Sequence, residues 1–168
     1  MSSLAVSLCA LTLTACGGTG SRPAPLDLTI LHINDHHSRL DAETTTLTLK
    51  DATGASKAVT VELGGFARVT AAIEALAAGQ KNVLKLHAGD AVTGDLYFTQ
   101  SEGKADADMM NTVCFDAFTL GNHEFDSADA GLVKFIDFLH AGTCRTPVLS
   151  ANVKPAAGTA LAGRVAAY

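Results

Sequence analysis

A chain of 168 residues has room for one domain of ordinary size, or for part of a larger one. With 48% apolar and 17% charged residues it can bury a core and is no solvated, disordered tail. Twelve Lys and Arg against seventeen Asp and Glu give a net charge of −5 with no basic run, and aromatics are only 5% with no Trp. Those figures exclude nucleic acid as a partner, because wrapping it needs a concentrated positive face or a base-stacking platform.

Met1 to Ala15 form an apolar stretch too short to span a bilayer, followed by Cys16 and the flexible Gly17-Gly18-Thr19-Gly20-Ser21. This predicts a targeting leader and not part of the fold. The run Leu13-Thr14-Ala15-Cys16 resembles a bacterial lipobox, in which small residues admit a signal peptidase that cuts before a Cys destined to carry lipid. The expectation is a signal peptide over residues 1–15, a lipidated Cys16, a tether over 16–25 and a folded part from 26 to 168. The mature chain would be exported to the periplasm or cell surface and held at the membrane by its lipid anchor. Its leader departs from the usual form in having no Lys or Arg. With Cys9 and Cys16 so spent, Cys114 and Cys144 remain as a pair in an oxidising compartment.

Leu28 to Ile33 is a continuous apolar, β-branched run and predicts a strand buried on both faces, leading into Asn34-Asp35-His36-His37. Thr44 to Leu49 and Ala58 to Leu63 alternate on either side of Asp51-Ala52-Thr53-Gly54, the pattern of an inserted hairpin. Phe66, Val69, Ile73 and Leu76 fall at helical spacing, with Gly79 as the residue that stops the helix. A strand over Val83 to Ala88 ends in Gly89-Asp90, and a short helix covers Ala105 to Val113. Ala117 to Leu120 is a strand ending in Gly121-Asn122-His123-Glu124. Leu132, Phe135, Ile136 and Leu139 predict an amphipathic helix closed by Gly142, and Pro147 to Ala151 a last strand. Such alternation reads as an α/β fold with a largely parallel sheet.

Polar residues gather just beyond the carboxyl ends of three of these strands, the edge at which open α/β sheets bind ligands. Asp35 and His37 are two apart, so an extended strand end points both to one side and His36 to the other. A carboxylate and an imidazole together suit a borderline divalent metal, Asp90 adds a carboxylate able to bridge, and Asn122 offers a neutral oxygen. These oxygen and nitrogen donors suggest zinc, manganese or cobalt rather than a thiolate zinc site.

In order and spacing, Asp35-His36-His37, Gly89-Asp90 and Gly121-Asn122-His123-Glu124-Phe125-Asp126 resemble the calcineurin-like metallophosphoesterases, and within them the bacterial 5′-nucleotidase branch. Gly64-Gly65, Ala67-Arg68, Leu86-His87-Ala88-Gly89-Asp90 and Leu149-Ser150-Ala151-Asn152-Val153 match the same branch, and His87-Ala88-Gly89-Asp90 with the surroundings of Cys114 looks most like its NAD nucleotidases. The resemblance, which runs from about Leu28 to Val153, implies an α/β/β/α sandwich with flanking helices, here incomplete. It implies two divalent metal ions, with Asp35 and His37 on one, Asp90 bridging and Asn122 on the other. His123 and Asp126 would handle the phosphate of a nucleotide or NAD-like substrate.

The family completes its metal set with downstream His clusters, whereas only His140 follows His123 here, on an amphipathic helix where a surface histidine is the ordinary reading. The expectation is therefore an N-terminal fragment of a metal-dependent nucleotide phosphohydrolase, short of ligands and of the domain that would bind the base. The rivals are a 2′,3′-cyclic phosphodiesterase or sugar-nucleotide hydrolase of the same superfamily, and a catalytically silent lipoprotein. Cys114 stands as far before Asn122 as Cys144 does before Asn152. On parallel neighbouring strands both sulfurs would lie at the amino edge of the sheet, within disulfide reach and opposite the metal rim.

Overall fold

The computed structural model describes residues 24–166; the leader and the Cys16 lipidation site lie outside the described residues. Four strands, β1 (Thr29–Ile33), β4 (Val83–His87), β5 (Ala117–Thr119) and β6 (Val148–Leu149), form a parallel sheet in the order β1-β4-β5-β6. Among the described residues β2 (Ala42–Lys50) and β3 (Ser56–Gly64) pair only with each other, as an antiparallel hairpin whose register sets Thr46 opposite Thr60. The expected hairpin is thus present and longer than its alternating segments, because its turn is tight: the Asp51 carboxylate accepts from the Thr53 and Ala55 backbone N–H groups.

Helices α1 (Phe66–Ala77), α3 (Lys104–Val113) and α4 (Ala128–Ala141) connect the strands, with a short α2 (Leu96–Ser101) before α3. α4 buries Leu132, Phe135, Ile136 and Leu139, the stripe that its spacing predicts, and Gly142 caps it. They pack with Phe66, Met110 and Phe118 into one core. α2 has no apolar period to reveal it; Asp95 starts it by accepting the Leu96 N–H.

Two expectations need correction. β1 is not buried on both faces: Leu31 and Ile33 pack on the core, while Ile30 and His32 are exposed, because β1 is the edge of the sheet among the described residues. The last strand is only two residues long; beyond it the chain turns, and Ala166 bridges to Leu149. Of the expected sandwich, the described residues supply one sheet, its helices and the hairpin.

Cys114, just after α3, and Cys144, just before β6, are joined as a disulfide with Cα atoms 5.4 Å apart. The bond lies at the amino ends of β5 and β6 and closes a loop that contains α4. His140 is half-buried, and its Nε2 bonds the Thr146 carbonyl oxygen at 2.9 Å, tying the end of α4 to the segment that enters β6. Among the described residues no helix is long and apolar enough to cross a membrane.

Candidate metal centre

The loops that leave β1, β4 and β5 at their carboxyl ends meet. His37, Asp90 and His123 each offer a ligand atom within 4.8 Å of the others. Asp35 stands alongside, with Oδ1 3.6 Å from His37 Nε2. Asn122 is exposed at the head of the short 3-10 turn His123–Phe125. Asp126 Oδ2 is 2.7 Å from His123 Nδ1.

Asp35 and His37 come together by a different route from strand alternation. Asp35, His37 and Ser38 have φ of 54°, 48° and 55°, so the chain turns in the left-handed region directly after β1. Asp90 and Thr93 do the same after β4, at 53° and 63°. Such residues cost about 1–3 kcal/mol each and persist only where their surroundings over-determine them. Here the surroundings are two buried carboxylates that the sequence reading gave no role.

One is Glu124, 3% exposed. Its Oε1 accepts from Ala91 N at 2.8 Å, and its Oε2 accepts from Asp90 N at 3.0 Å and Gly121 N at 2.6 Å. Glu124 therefore clasps the loops of β4 and β5 together. The backbone N–H of His123 completes the join by donating to Asp90 Oδ1 at 3.0 Å. The loops touch closely: a Cβ on Gly89, where φ is 99°, would lie 2.6 Å from Gly121 N, and one on Gly121 would run into Asp90 Oδ1. The second carboxylate is Asp106 on α3, fully buried, which holds Ser38 Oγ at 3.1 Å and His36 Nε2 at 3.2 Å. His36 thus does turn away from the rim, but into the core. One sign of this was readable: Asp106, Met110 and Val113 share a helical face, and an acid in an apolar stripe calls for a partner.

Electrostatics prepare the rim for a cation. The Asp35 carboxyl is held below the usual carboxylate range, foremost by the Asn34 side-chain amide and further by His37 and Asp90 beside it. Its ionised form is the one a metal needs. Asp126 raises His123 above the ordinary imidazole value and is itself lowered by that bond. Because a carboxylate can only accept, His123 Nδ1 carries a proton and Nε2 is the nitrogen left for the cluster, beside the His37 ring with centroids 4.9 Å apart. His37 and Asp90, with Asp35 alongside, bring an imidazole and two carboxylates to the rim, a donor set that fits a borderline divalent cation. A cleft of about 540 Å³ opens beside His123, lined by Val92, Phe98, Phe135, Ser127 and the Lys134–Glu102 ion pair.

Behind the rim, His87 is 1% exposed, and burial pushes it down to about 3, with His36 adding to the effect. Unfolded, it would take a proton near its ordinary value of 6.5. Its contribution to stability is thus whole above that value and lost as pH falls toward 3, at about 1.4 kcal/mol per pH unit. In chemical denaturation of wild type and His87→Gln, the stability gap should narrow at about that slope on going from pH 6 to pH 4. A gap independent of pH would mean that His87 is already charged in the fold.

A cluster of imidazoles and carboxylates at the carboxyl edge of a parallel α/β sheet is the arrangement of a cation-binding α/β protein. The Calcineurin-like phosphoesterase family profile matches residues 28–158, and the chain belongs to that family. It is 46% identical over 153 residues to the probable 5′-nucleotidase of Treponema pallidum, covering 91% of this chain and 24% of that protein. To the NAD 5′-nucleotidase of Haemophilus influenzae it is 48% identical over 130 residues, covering 77% of this chain and 20% of the relative. The solved structure of the Haemophilus influenzae NAD nucleotidase superposes with a TM-score of 0.72 at 46% identity, over 82% of this chain and 23% of that one. The chain therefore spans about a quarter or less of the length of these relatives.

Proposed function

We propose that the protein to which this chain belongs is an exported, lipid-anchored phosphohydrolase that removes phosphate from nucleotides with two divalent cations, zinc, manganese or cobalt, and that these residues form the amino-terminal part of its catalytic domain. The observation that carries the reading is the meeting of His37, Asp90 and His123 within 4.8 Å at three strand ends, with Asp35 beside them. The names of the relatives support a nucleotide or NAD-like substrate. Of the membrane anchor, only the lipobox-like Leu13-Thr14-Ala15-Cys16 speaks.

Asp35, His37, Asp90 and Asn122 would hold the cations, and bound cations would polarise the phosphoryl group and acidify water for in-line attack. The chain's own part is to place charge. Nδ1–H of His123 is fixed on Asp126, so Nε2 is aimed at the rim and its protonated form is favoured. A cationic imidazole there stabilises negative charge developing on the phosphoryl oxygens and can give a proton to the departing alkoxide. The left-handed turns hold Asp35, His37 and Asp90 in place before substrate arrives, so little reorganisation remains for the reaction.

Replacing His123 with Ala in the whole protein should lower kcat about 10²- to 10⁴-fold while metal content stays near wild type, the pattern of an interaction made in the transition state. Phosphate release from a nucleoside 5′-monophosphate and elemental analysis of the purified variant read the two quantities. Loss of metal in step with activity would move His123 into the ligand set, next to His37 and Asp90.

A further inference from the structure

We infer that Asp106 of α3 is the positioning residue of the centre, acting through a hydrogen-bonded relay of fixed sense that runs from Gly89 through His87 and His36 to its buried carboxylate. The inference rests on the metal reading above for what is positioned, but the relay itself is read from atoms. Gly89 N–H can only donate, and it does so to His87 Nδ1 at 3.2 Å. His87 Nδ1 is therefore bare and its proton sits on Nε2, which faces His36 Nδ1 at 2.9 Å. His36 Nδ1 must accept, so the proton of His36 is on Nε2, which donates to Asp106 Oδ1 at 3.2 Å. The other oxygen, Oδ2, takes the Ser38 hydroxyl at 3.1 Å. Each donor has one acceptor and the direction is unique.

The rings cannot swing out of line. His36 meets Phe66 edge to face with centroids 5.1 Å apart, and His87 meets Phe115 and Phe118 in the same way at 5.3 Å. The relay joins both rim loops: Gly89 precedes Asp90, and His36 and Ser38 flank His37 within the left-handed turn that begins at Asp35. Asp106 bonds none of Asp35, His37 and Asp90 itself. Through two arms it fixes the turn after β1, and through His87 it ties that turn to the loop after β4, setting the separation between Asp35 with His37 and Asp90. Polar groups that orient metal ligands from behind govern affinity without touching the ion.

The test uses the whole protein with cobalt(II) alone as the probe, titrated by its visible absorption. Wild type is expected to bind, and Asp106→Ala to bind about 100-fold more weakly with a shifted spectrum. Asp106→Asn keeps an oxygen for His36 Nε2–H and an amide facing Ser38 Oγ, and should return affinity to within about fivefold of wild type. Asp106→Ala with wild-type affinity and spectrum would overturn the inference, as would an Asn variant no better than the Ala one. If the Ala variant does not fold, the imidazole tautomers of metal-free wild type decide, read by long-range ¹H–¹⁵N correlation. Protons on Nε2 of both His36 and His87 support the relay; a proton on His36 Nδ1 breaks it. A wild type that takes up no cobalt overturns the metal reading instead, and the tautomers still decide the relay.

Discussion

Asp90→Asn in the whole protein is expected to lower kcat/KM about a thousandfold or more and to strip metal from the purified enzyme. Asp90 leaves β4 in the left-handed region with its backbone N–H on Glu124 and its Oδ1 accepting from His123 N. Asn keeps an oxygen for His123 N–H, so the loop keeps its shape and only the negative charge is lost. A charge that holds cations against a phosphoryl group is worth several kcal/mol, and about 1.4 kcal/mol is tenfold in rate. Metal analysis and steady-state kinetics check the two effects. Near-normal metal with normal turnover would remove Asp90 from the centre.

The second large effect is expected at Glu124, which holds the same loops through their backbone amides. In Glu124→Gln one of the two oxygens becomes an amide, a donor facing either the Ala91 N–H or the pair from Asp90 and Gly121. At least one buried N–H then meets another donor, at a cost of about 3 kcal/mol in the stability of the clasp. Hydrogen exchange of the Asp90, Ala91 and Gly121 amides is the measurement, because it reads local opening whatever the rest of the protein does. Protection should fall about a hundredfold at these three amides and little in α4. Unchanged protection would mean that the loops are held by something other than the carboxylate.

Much of the fold was legible because its signals are local. The stripe of α4, the alternation of β2 and β3 and the apolar runs of β4 and β5 each show within a few residues, and the rim residues follow once the strand ends are placed. Asp35 and His37 were put on one side by strand alternation, yet the structure does it with a left-handed turn, a choice that depends on contacts made far along the chain. His36 has its partners 51 and 70 residues away, and no local pattern reveals a bond of that range. Glu124 stands inside the Gly121–Asp126 motif, yet its role is hidden there, since it binds backbone amides, which leave no mark on the side-chain pattern. The burial of β1 was misjudged for a related reason: an apolar run shows what a strand can bury, and its neighbours decide which faces are covered.

Gly89 and Gly121 stand 32 residues apart in the chain; a side chain on Gly89 would meet the Gly121 backbone, and one on Gly121 would meet Asp90, the residue after Gly89. For variation between generations this makes two motifs one inherited character. A methyl group at either glycine presses on the opposite ligand-bearing loop, and no change of side chain at the other glycine makes room, since what stands in the way is backbone and, for Gly121, Asp90 itself. Drift in this protein is therefore closed at the crossing of the two loops.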